Sequence, residues 1–320
     1  MNYRLKKISG DASFREFYRL KKGNRTSIIV KADKEKFKNL ISYAIINNLL
    51  IKNKIIAPKL LSNHFQHNMM EISDLGQKSF YDIISKKKKK LNYYKNLIKI
   101  IFKLQKIKIK KKYYLGKHKL ILQKYSLQNL HKESDLFFDW YLKFSSKNLK
   151  INKIKKILKI ELNKIYKKLY FNNMTFVHRD FHASNIMINK KAFGLIDSQD
   201  AIIGNPLYDV ASLIDDVRIK LPINLQNKLL KYYYSNSKLK KELFQNLKND
   251  FDILSVQRNL KILGIFVRLS KRDNKSNYLK YLPHTWSLIY RRLKNPIFKN
   301  FRLLFYKHVK IKRFNKFNIL

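Results

Sequence analysis

One loop constrains the fold of this chain more than any other stretch. It reads His178-Arg179-Asp180-Phe181-His182-Ala183-Ser184-Asn185, preceded by Phe176-Val177 and followed by Met187–Ile188 and Gly194–Ile196. Met187–Ile188 and Gly194–Ile196 read as short strands, and Asn189-Lys190-Lys191 reads as a tight β-turn between them. A tight loop and a hairpin would bring Asp180, Asn185 and Asp197 back toward one place. The spacing is H-R-D-x-x-x-x-N with an aspartate after the next strand pair, a layout suited to phosphoryl transfer. Asp180 can accept a proton from an acceptor hydroxyl. The Asn185 amide offers a neutral oxygen to Mg²⁺, and Asp197 faces the same cation. Taken singly, Asp180 also reads as a turn cap and Asn185 as a left-handed turn residue; the joint occurrence carries the assignment. His178 and His182 have H-x-x-x-H spacing, but the loop context and the missing glutamate argue against a zinc pair.

The same region stands out in charge. Lys+Arg number 71 against Asp+Glu 21, a net charge of +50, and the lysines are spread along nearly the whole chain with abundant Asn, Ile and Tyr. That mixture reads as the codon bias of an AT-rich genome, and Lys86 to Lys90 reads as a solvated loop. Yet residues 192–217 contain no Lys or Arg, and Asp180, Asp197, Asp200, Asp209, Asp215 and Asp216 cluster in and beside that gap. A bound divalent cation accounts for such a local reversal of sign. Hydrophobic residues at 45% and aromatics at 13% argue against disorder, and the lack of cysteine excludes thiol nucleophiles and disulfide scaffolds. The first residues lack a signal-peptide pattern and no run suffices to span a bilayer, so a soluble cytoplasmic protein is expected. A basic nucleic-acid-binding protein stays as an alternative, one that steep salt dependence would reveal.

Along the chain, Tyr3–Ser9, Phe14–Lys22 and Arg25–Ala32 are strand-like, with turns at Ser9-Gly10-Asp11-Ala12 and Gly23-Asn24. Phe37, Leu40, Ile41, Ala44 and Ile45 recur at helical spacing. Lys59–Phe65 with Asn68–Ser73 reads as another hairpin, and Asp74-Leu75-Gly76 closes a small lobe. Beyond Ser79 the periodicity predicts helices over Leu91–Gln105, Ile151–Phe171, Leu207–Ile219, Leu225–Tyr234 and Asp252–Leu269, with strands only at the catalytic hairpin. The expected fold class is α+β: an antiparallel β-rich nucleotide-binding lobe over residues 1–76, then a mostly helical lobe over 77–320 with the catalytic loop and acceptor site.

Beyond the loop, the chain resembles a known group along nearly its whole length. The segments that carry this are Ser9-Gly10-Asp11-Ala12-Ser13-Phe14-Arg15, Asp74-Leu75-Gly76, Trp140-Tyr141-Leu142, Asp197-Ser198-Gln199-Asp200-Ala201, Gly204-Asn205-Pro206-Leu207-Tyr208-Asp209 and Gln257-Arg258-Asn259-Leu260-Lys261-Ile262-Leu263-Gly264-Ile265-Phe266. The catalytic loop is similar to that of the aminoglycoside phosphotransferase and choline kinase-like superfamily. The GDASFR and QRxLKxLGIF segments resemble, within it, the anomeric N-acetylmuramate/N-acetylglucosamine kinases.

The resemblance implies a protein-kinase-like two-lobe fold, with ATP and Mg²⁺ as cofactors and the anomeric hydroxyl of an amino sugar as acceptor, in cell-wall recycling. It implies Asp180 as base and Asn185 and Asp197 as metal ligands, with Gly10, Asp11, Ala12, Ser13 and Phe14 covering the ATP phosphates through backbone amides. That last segment, standing alone, reads as an ordinary hairpin turn. His178 and Asp209 would support the site, and Asp200 would face acceptor hydroxyls. Trp140 and Tyr141 would stack on a pyranose face or belong to the core. Arg258, on one helical face with Lys261, would meet a lactyl carboxylate or phosphate, or be solvated. No obligate protein partner is expected. Two departures stand against the kinase pattern: Lys31 sits where a phosphate-binding lysine would, but no helix carboxylate follows to pair with it, and Ser198 replaces the usual aromatic after the metal aspartate.

Overall fold

The computed structural model describes residues 3–8, 15–32, 38–145, 150–189 and 192–309. Contacts divide the chain into one unit made of Met1–Lys124 with Met174–Gly204 and a second made of Tyr125–Asn173 with Asn205–Leu320.

The first unit is built on a five-stranded antiparallel sheet in the order β1-β2-β3-β5-β4. Its strands are β1 (Tyr3–Ile8), β2 (Glu16–Lys22), β3 (Arg25–Lys31), β4 (Leu60–His64) and β5 (Met69–Ser73). The β2–β3 turn is the expected Gly23-Asn24 pair, closed by the Lys22–Arg25 register, with Gly23 at φ +55°. Central strand β3 is paired on both sides and buries Ile28 and Val30. Helix α1 (Lys38–Lys52) follows and buries Leu40, Ile41, Ala44, Ile45, Ile46 and Leu50, so apolar packing holds it despite its lysine ends. Helices α2 (Phe80–Ile84) and α3 (Leu91–Gln105) complete the early part, the first closed by a Ser79/Asp82 capping box.

Four strands beyond the expected set appear in this unit. Two form the hairpin β6 (Tyr113–Leu115) and β7 (His118–Leu120); the others are β8 (Thr175–Val177) and β11 (Ile202–Gly204), which pair antiparallel. The anticipated hairpin is present as β9 (Ile186–Asn189) and β10 (Ala192–Leu195). It is joined by backbone bonds to earlier chain: Ile188 N–H donates to the Lys78 carbonyl at 2.9 Å and Leu195 N–H to the Ile56 carbonyl at 2.8 Å. Gly194 permits this approach, since a Cβ there would lie 2.8 Å from Leu75 Cδ1 and 3.0 Å from Ile56 Cγ2. Residues 77–124 and the β9–β10 hairpin group with the sheet in one unit.

The second unit is helical, comprising α4 (Leu127–Leu136), a π-helical stretch (Phe137–Leu142), α5 (Lys143–Ser145), α6 (Ile151–Tyr166), α7 (Tyr208–Ile214), α8 (Ile223–Asn236), α9 (Phe244–Arg272), α10 (Leu282–Leu293) and α11 (Lys299–His308). Helix α9 extends further at both ends than the periodicity predicts, and α7 stops at Ile214 rather than Ile219. At that stop Asp215 turns into the core, where its two oxygens accept a forked pair of bonds from Arg292 at 2.7 and 2.8 Å. Phe137, Tyr141, Trp286 and Phe305 form an aromatic core. Against α4, α9 presents Gly264, whose missing Cβ would stand 2.2 Å from the Leu136 carbonyl carbon and oxygen and 2.7 Å from Phe137 N. Asp250 accepts from the backbone N–H of Tyr170 and Phe171 and from Asn205 Nδ2, tying the end of one segment of the unit to the start of the next.

Candidate active site

The loop from His178 to Asn185 begins where β8 ends. Val177 pairs with Ile202 and is buried, and His178 follows with no exposure. Arg179 then takes φ +76°, a left-handed conformation that reverses the chain at once and sets Asp180 at the loop's mouth. The loop closes on itself: His182 N–H donates to the Asp180 carbonyl at 3.0 Å, Asn185 N–H to the His182 carbonyl at 3.0 Å, and Asn185 Nδ2 to the Asp180 carbonyl at 3.2 Å. Ile196 N–H donates to the Asn185 carbonyl at 3.0 Å, which draws the exit of the hairpin beside the loop. Asp197 comes next, at φ +64°. Two non-glycine residues in left-handed backbone, one at each end of the same loop–hairpin, are strained positions of the kind functional sites retain.

Asp180 is half-buried, and among the described residues its carboxylate makes no hydrogen bond. Asn185 is buried, with its amide nitrogen committed to the loop, so its Oδ1 is the acceptor left for a ligand. Asp197 keeps 35% of its side chain exposed. Even so, burial pushes its carboxyl above the ordinary range; Arg15 opposes that shift, while Asp180 and Asp200 add to it. Asn185 and Asp197 line one cavity of about 280 Å³. Its other walls include Phe17, Ile28, Tyr43, Ile72, the Asp74–Gln77 segment, Met187 and Ile196. The Asp74 segment is held by Arg19, which donates to both Asp74 oxygens at 2.6 and 3.2 Å and to the Gly76 carbonyl at 3.0 Å.

A hard divalent cation fits this donor set. One carboxylate and one amide oxygen face a shared cavity, and no hydrogen bond reaches Asp197 Oδ2 among the described residues. Among the described residues no three His, Asp or Glu side chains form a complete cage, so further ligands would come from water and phosphate oxygens.

Helix α1 serves the site through Tyr43 and Asn47. Ser198 Oγ donates to Asn47 Oδ1 at 2.7 Å, and Asp197 N–H reaches Tyr43 Oη at 3.4 Å, so two residues four apart on α1 hold the Asp197–Ser198 segment. Burial beside Asp197 pushes the Tyr43 hydroxyl up to about 12. Sequence reasoning did not single out these contacts, nor Arg15 as a site residue. Its Nη2 donates to Asp197 Oδ1 at 2.8 Å and its Nη1 to Gln199 Oε1 at 2.9 Å, across more than 180 residues.

The remaining candidates distribute as follows. Lys31 ends β3, in register with Glu16, and is half-buried. Asp200 is exposed, 3.8 Å from Arg179. The segment Gly10, Asp11, Ala12, Ser13 and Phe14 lies outside the described residues. In the second unit, Asp209 is buried in the first turn of α7. Trp140 is half-buried and borders a groove with Lys143, Phe144 and Lys271. Tyr141 requires a correction: it is 1% exposed, accepts from Trp286 Nε1 at 2.8 Å and stacks on Phe137, so it belongs to the core and offers no face to a sugar. Lys261 is engaged with Glu133 at 3.0 Å. Arg258 is 5% exposed as a whole residue, and among the described residues its guanidinium has no hydrogen bond or ion pair.

Comparison with known proteins converges on one group. Residues 4–241 match the model of the phosphotransferase enzyme family. An N-acetylmuramate/N-acetylglucosamine kinase of Pseudomonas aeruginosa is 26% identical over 282 residues, covering 86% of this chain and 79% of the relative. One of Neisseria meningitidis is 24% identical over 279 residues, covering 86% and 81%. Among solved structures, a choline/ethanolamine kinase family protein from Mesorhizobium loti superposes with a TM-score of 0.63 at 12% identity, covering 94% of this chain and 92% of that one. A thermostable mutant of an aminoglycoside phosphotransferase, in ternary complex with AMP-PNP and hygromycin B, gives 0.61 at 12% identity, covering 91% and 95%. The fold is thus the protein-kinase-like one of these enzymes, as the sequence led us to expect. No helix among the described residues is long and apolar enough to cross a membrane.

Proposed function

This chain belongs to the phosphotransferase enzyme family, and on that premise we propose that it transfers the γ-phosphoryl group of ATP to the anomeric hydroxyl of N-acetylmuramate or N-acetylglucosamine. The observation that carries the reading is the closed loop in which Asn185 binds the Asp180 carbonyl and Ile196 binds Asn185, drawing Asp197 alongside. The amino-sugar acceptor is taken from the named activity of relatives that align over most of the chain.

In this mechanism the Asp180 carboxylate, free of hydrogen bonds among the described residues, takes the proton of the acceptor hydroxyl. That oxygen bonds to the γ-phosphorus as the bond to the β–γ bridging oxygen breaks, and ADP leaves. Asn185 and Asp197 would hold Mg²⁺, which when bound neutralises charge on the β- and γ-phosphates. The adenine ring of ATP would lie against the apolar cavity wall of Ile28, Ile72, Met187 and Ile196. The backbone of Gly10–Phe14 and the Lys31 ammonium would meet phosphate oxygens. His178 and Asp209 would support the loop from buried positions, while Asp200 and Trp140 would contact acceptor hydroxyls and ring. Arg258 is the candidate cation for the lactyl carboxylate that distinguishes N-acetylmuramate from N-acetylglucosamine, because among the described residues its largely buried side chain has no anionic partner and a ligand would supply one. The reaction would serve cytoplasmic recycling of cell-wall amino sugars.

The test is coupled ADP release over a panel of amino sugars, aminoglycosides and choline, with the product phosphate assigned by phosphorus NMR. Amino-sugar-dependent turnover with an anomeric phosphate is expected. Asp180→Asn should lower kcat about a thousandfold with nucleotide affinity retained. Turnover that follows choline or an aminoglycoside instead would overturn the acceptor assignment, and a native rate in Asp180→Asn would remove the base.

A further inference from the structure

Arg15 is the residue of the site that the mechanism above leaves without a task. It is buried, and its guanidinium spans two residues of the post-hairpin segment, Asp197 Oδ1 and Gln199 Oε1. The rings of Phe17 and Tyr43 flank it at 5.8 and 5.9 Å. Gln199, oriented by Arg15, passes its own N–H groups to Asp197 Oδ1 at 3.1 Å and Asp200 Oδ2 at 3.0 Å. Asp197 Oδ1 therefore accepts two bonds from protein, while no hydrogen bond reaches Oδ2 among the described residues.

This arrangement bears on which form of cation the site takes. Three carboxylates act on one another here, since Asp180 and Asp200 both bear electrostatically on Asp197. Their shared negative charge favours a cation at Asp197 although the three do not form a cage. A fixed guanidinium against Asp197 cancels that carboxylate's charge toward a bare cation, yet attracts a metal–nucleotide complex, whose net charge is negative. Arg19, the arginine that lines the cavity, is committed to Asp74 and Gly76.

We propose that Arg15 makes the Asp197 site select the metal–nucleotide complex over the free divalent cation, as a positioning and selectivity residue rather than a catalytic one. The inference rests on the phosphotransferase reading and extends it. Its signature is a pair of opposite shifts, which loss of structure does not produce. In Arg15→Gln, affinity for Mn²⁺–ATP should fall about tenfold while affinity for bare Mn²⁺ rises by a similar factor, both read by titration with detection of free Mn²⁺ by electron paramagnetic resonance. Arg15→Lys keeps the charge without the fork and should show no rise in bare-metal affinity. In the wild type, Mn²⁺–ATP should bind at least about a hundredfold more tightly than Mn²⁺ alone. Wild-type protein that binds bare Mn²⁺ as tightly as the complex overturns the proposal even if Arg15→Gln fails to fold. So does a folded Arg15→Gln protein in which both affinities fall together or neither moves. An Asp197→Asn control separates the two levels. If it loses Mn²⁺–ATP while Arg15→Gln shows no opposed shifts, only the Arg15 assignment falls; if wild type binds no Mn²⁺–ATP, the phosphotransferase reading falls with it.

Discussion

Replacing Gly264 by alanine sets two physical effects of opposite sign against each other. In an exposed helix the change would stabilise by about 1 kcal/mol, because alanine restricts the unfolded chain and favours helix. At this position the new methyl would lie 2.2 Å from the Leu136 carbonyl carbon and oxygen and 2.7 Å from Phe137 N. These are backbone atoms, so no rotamer change relieves them. The α9 axis must move off α4 by more than 1 Å, loosening the packing around buried Leu260, Leu263 and Val267. Overpacking of this kind costs about 3 kcal/mol, the upper end of the usual range. After the helix-propensity gain, a net loss of about 2 kcal/mol is expected, a fall of about 5 °C in Tm. Thermal and urea unfolding followed by circular dichroism measure it. Gly204→Ala is the internal comparison: its Cβ would meet the Val177 side chain at 3.0 Å, which can yield, so its cost should be smaller. A Gly264→Ala protein as stable as wild type, or more so, would refute the close backbone approach of α4 and α9.

Two further outcomes are expected. Burial pushes the His178 imidazole down to about 4, against partial opposition from Asp180, a hydrogen bond with the Ile196 backbone, and Asp200. Between pH 6.5 and about 4 the unfolded chain therefore binds the proton that the folded chain refuses, and stability falls with falling pH by about 3 kcal/mol across that window. His178→Gln should flatten the decline of urea midpoints from pH 7 to 4.5; identical slopes in both proteins would discard the assignment. Arg258→Gln should raise KM for N-acetylmuramate about tenfold or more while leaving that for N-acetylglucosamine near its native value, the loss of one charge-assisted contact. Equal effects on both sugars would assign the residue to folding instead.

Much of this architecture could be read from residues alone, and what escaped did so for physical reasons. The first sheet announces itself through β-branched runs punctuated by Gly23-Asn24, and the loop from His178 to Asn185 through spacing. Strands β8 and β11 are three residues each and far apart in sequence, too short to carry a period, yet their pairing sets the direction in which the loop leaves the sheet. Tyr141 sits in an aromatic pair on a helical segment, and periodicity cannot distinguish a core ring from a ligand platform. The partners of Arg15, Tyr43 and Asn47 lie more than 150 residues away, so only the folded chain reveals them. Helix α9 hides its first turns behind Lys and Asn, although Leu247 and Asp250 are already buried there.

The bond between Asn47 and Ser198 has a consequence for how such a basic protein works across solution conditions. An ion pair anchoring α1 beside Asp197 would weaken as mobile ions accumulate around a chain of net charge +50. A neutral amide–hydroxyl contact sealed from solvent feels neither ionic strength nor moderate acidity. Alignment of Asp197 with the helix is thereby insulated from the electrolyte that governs the rest of the surface.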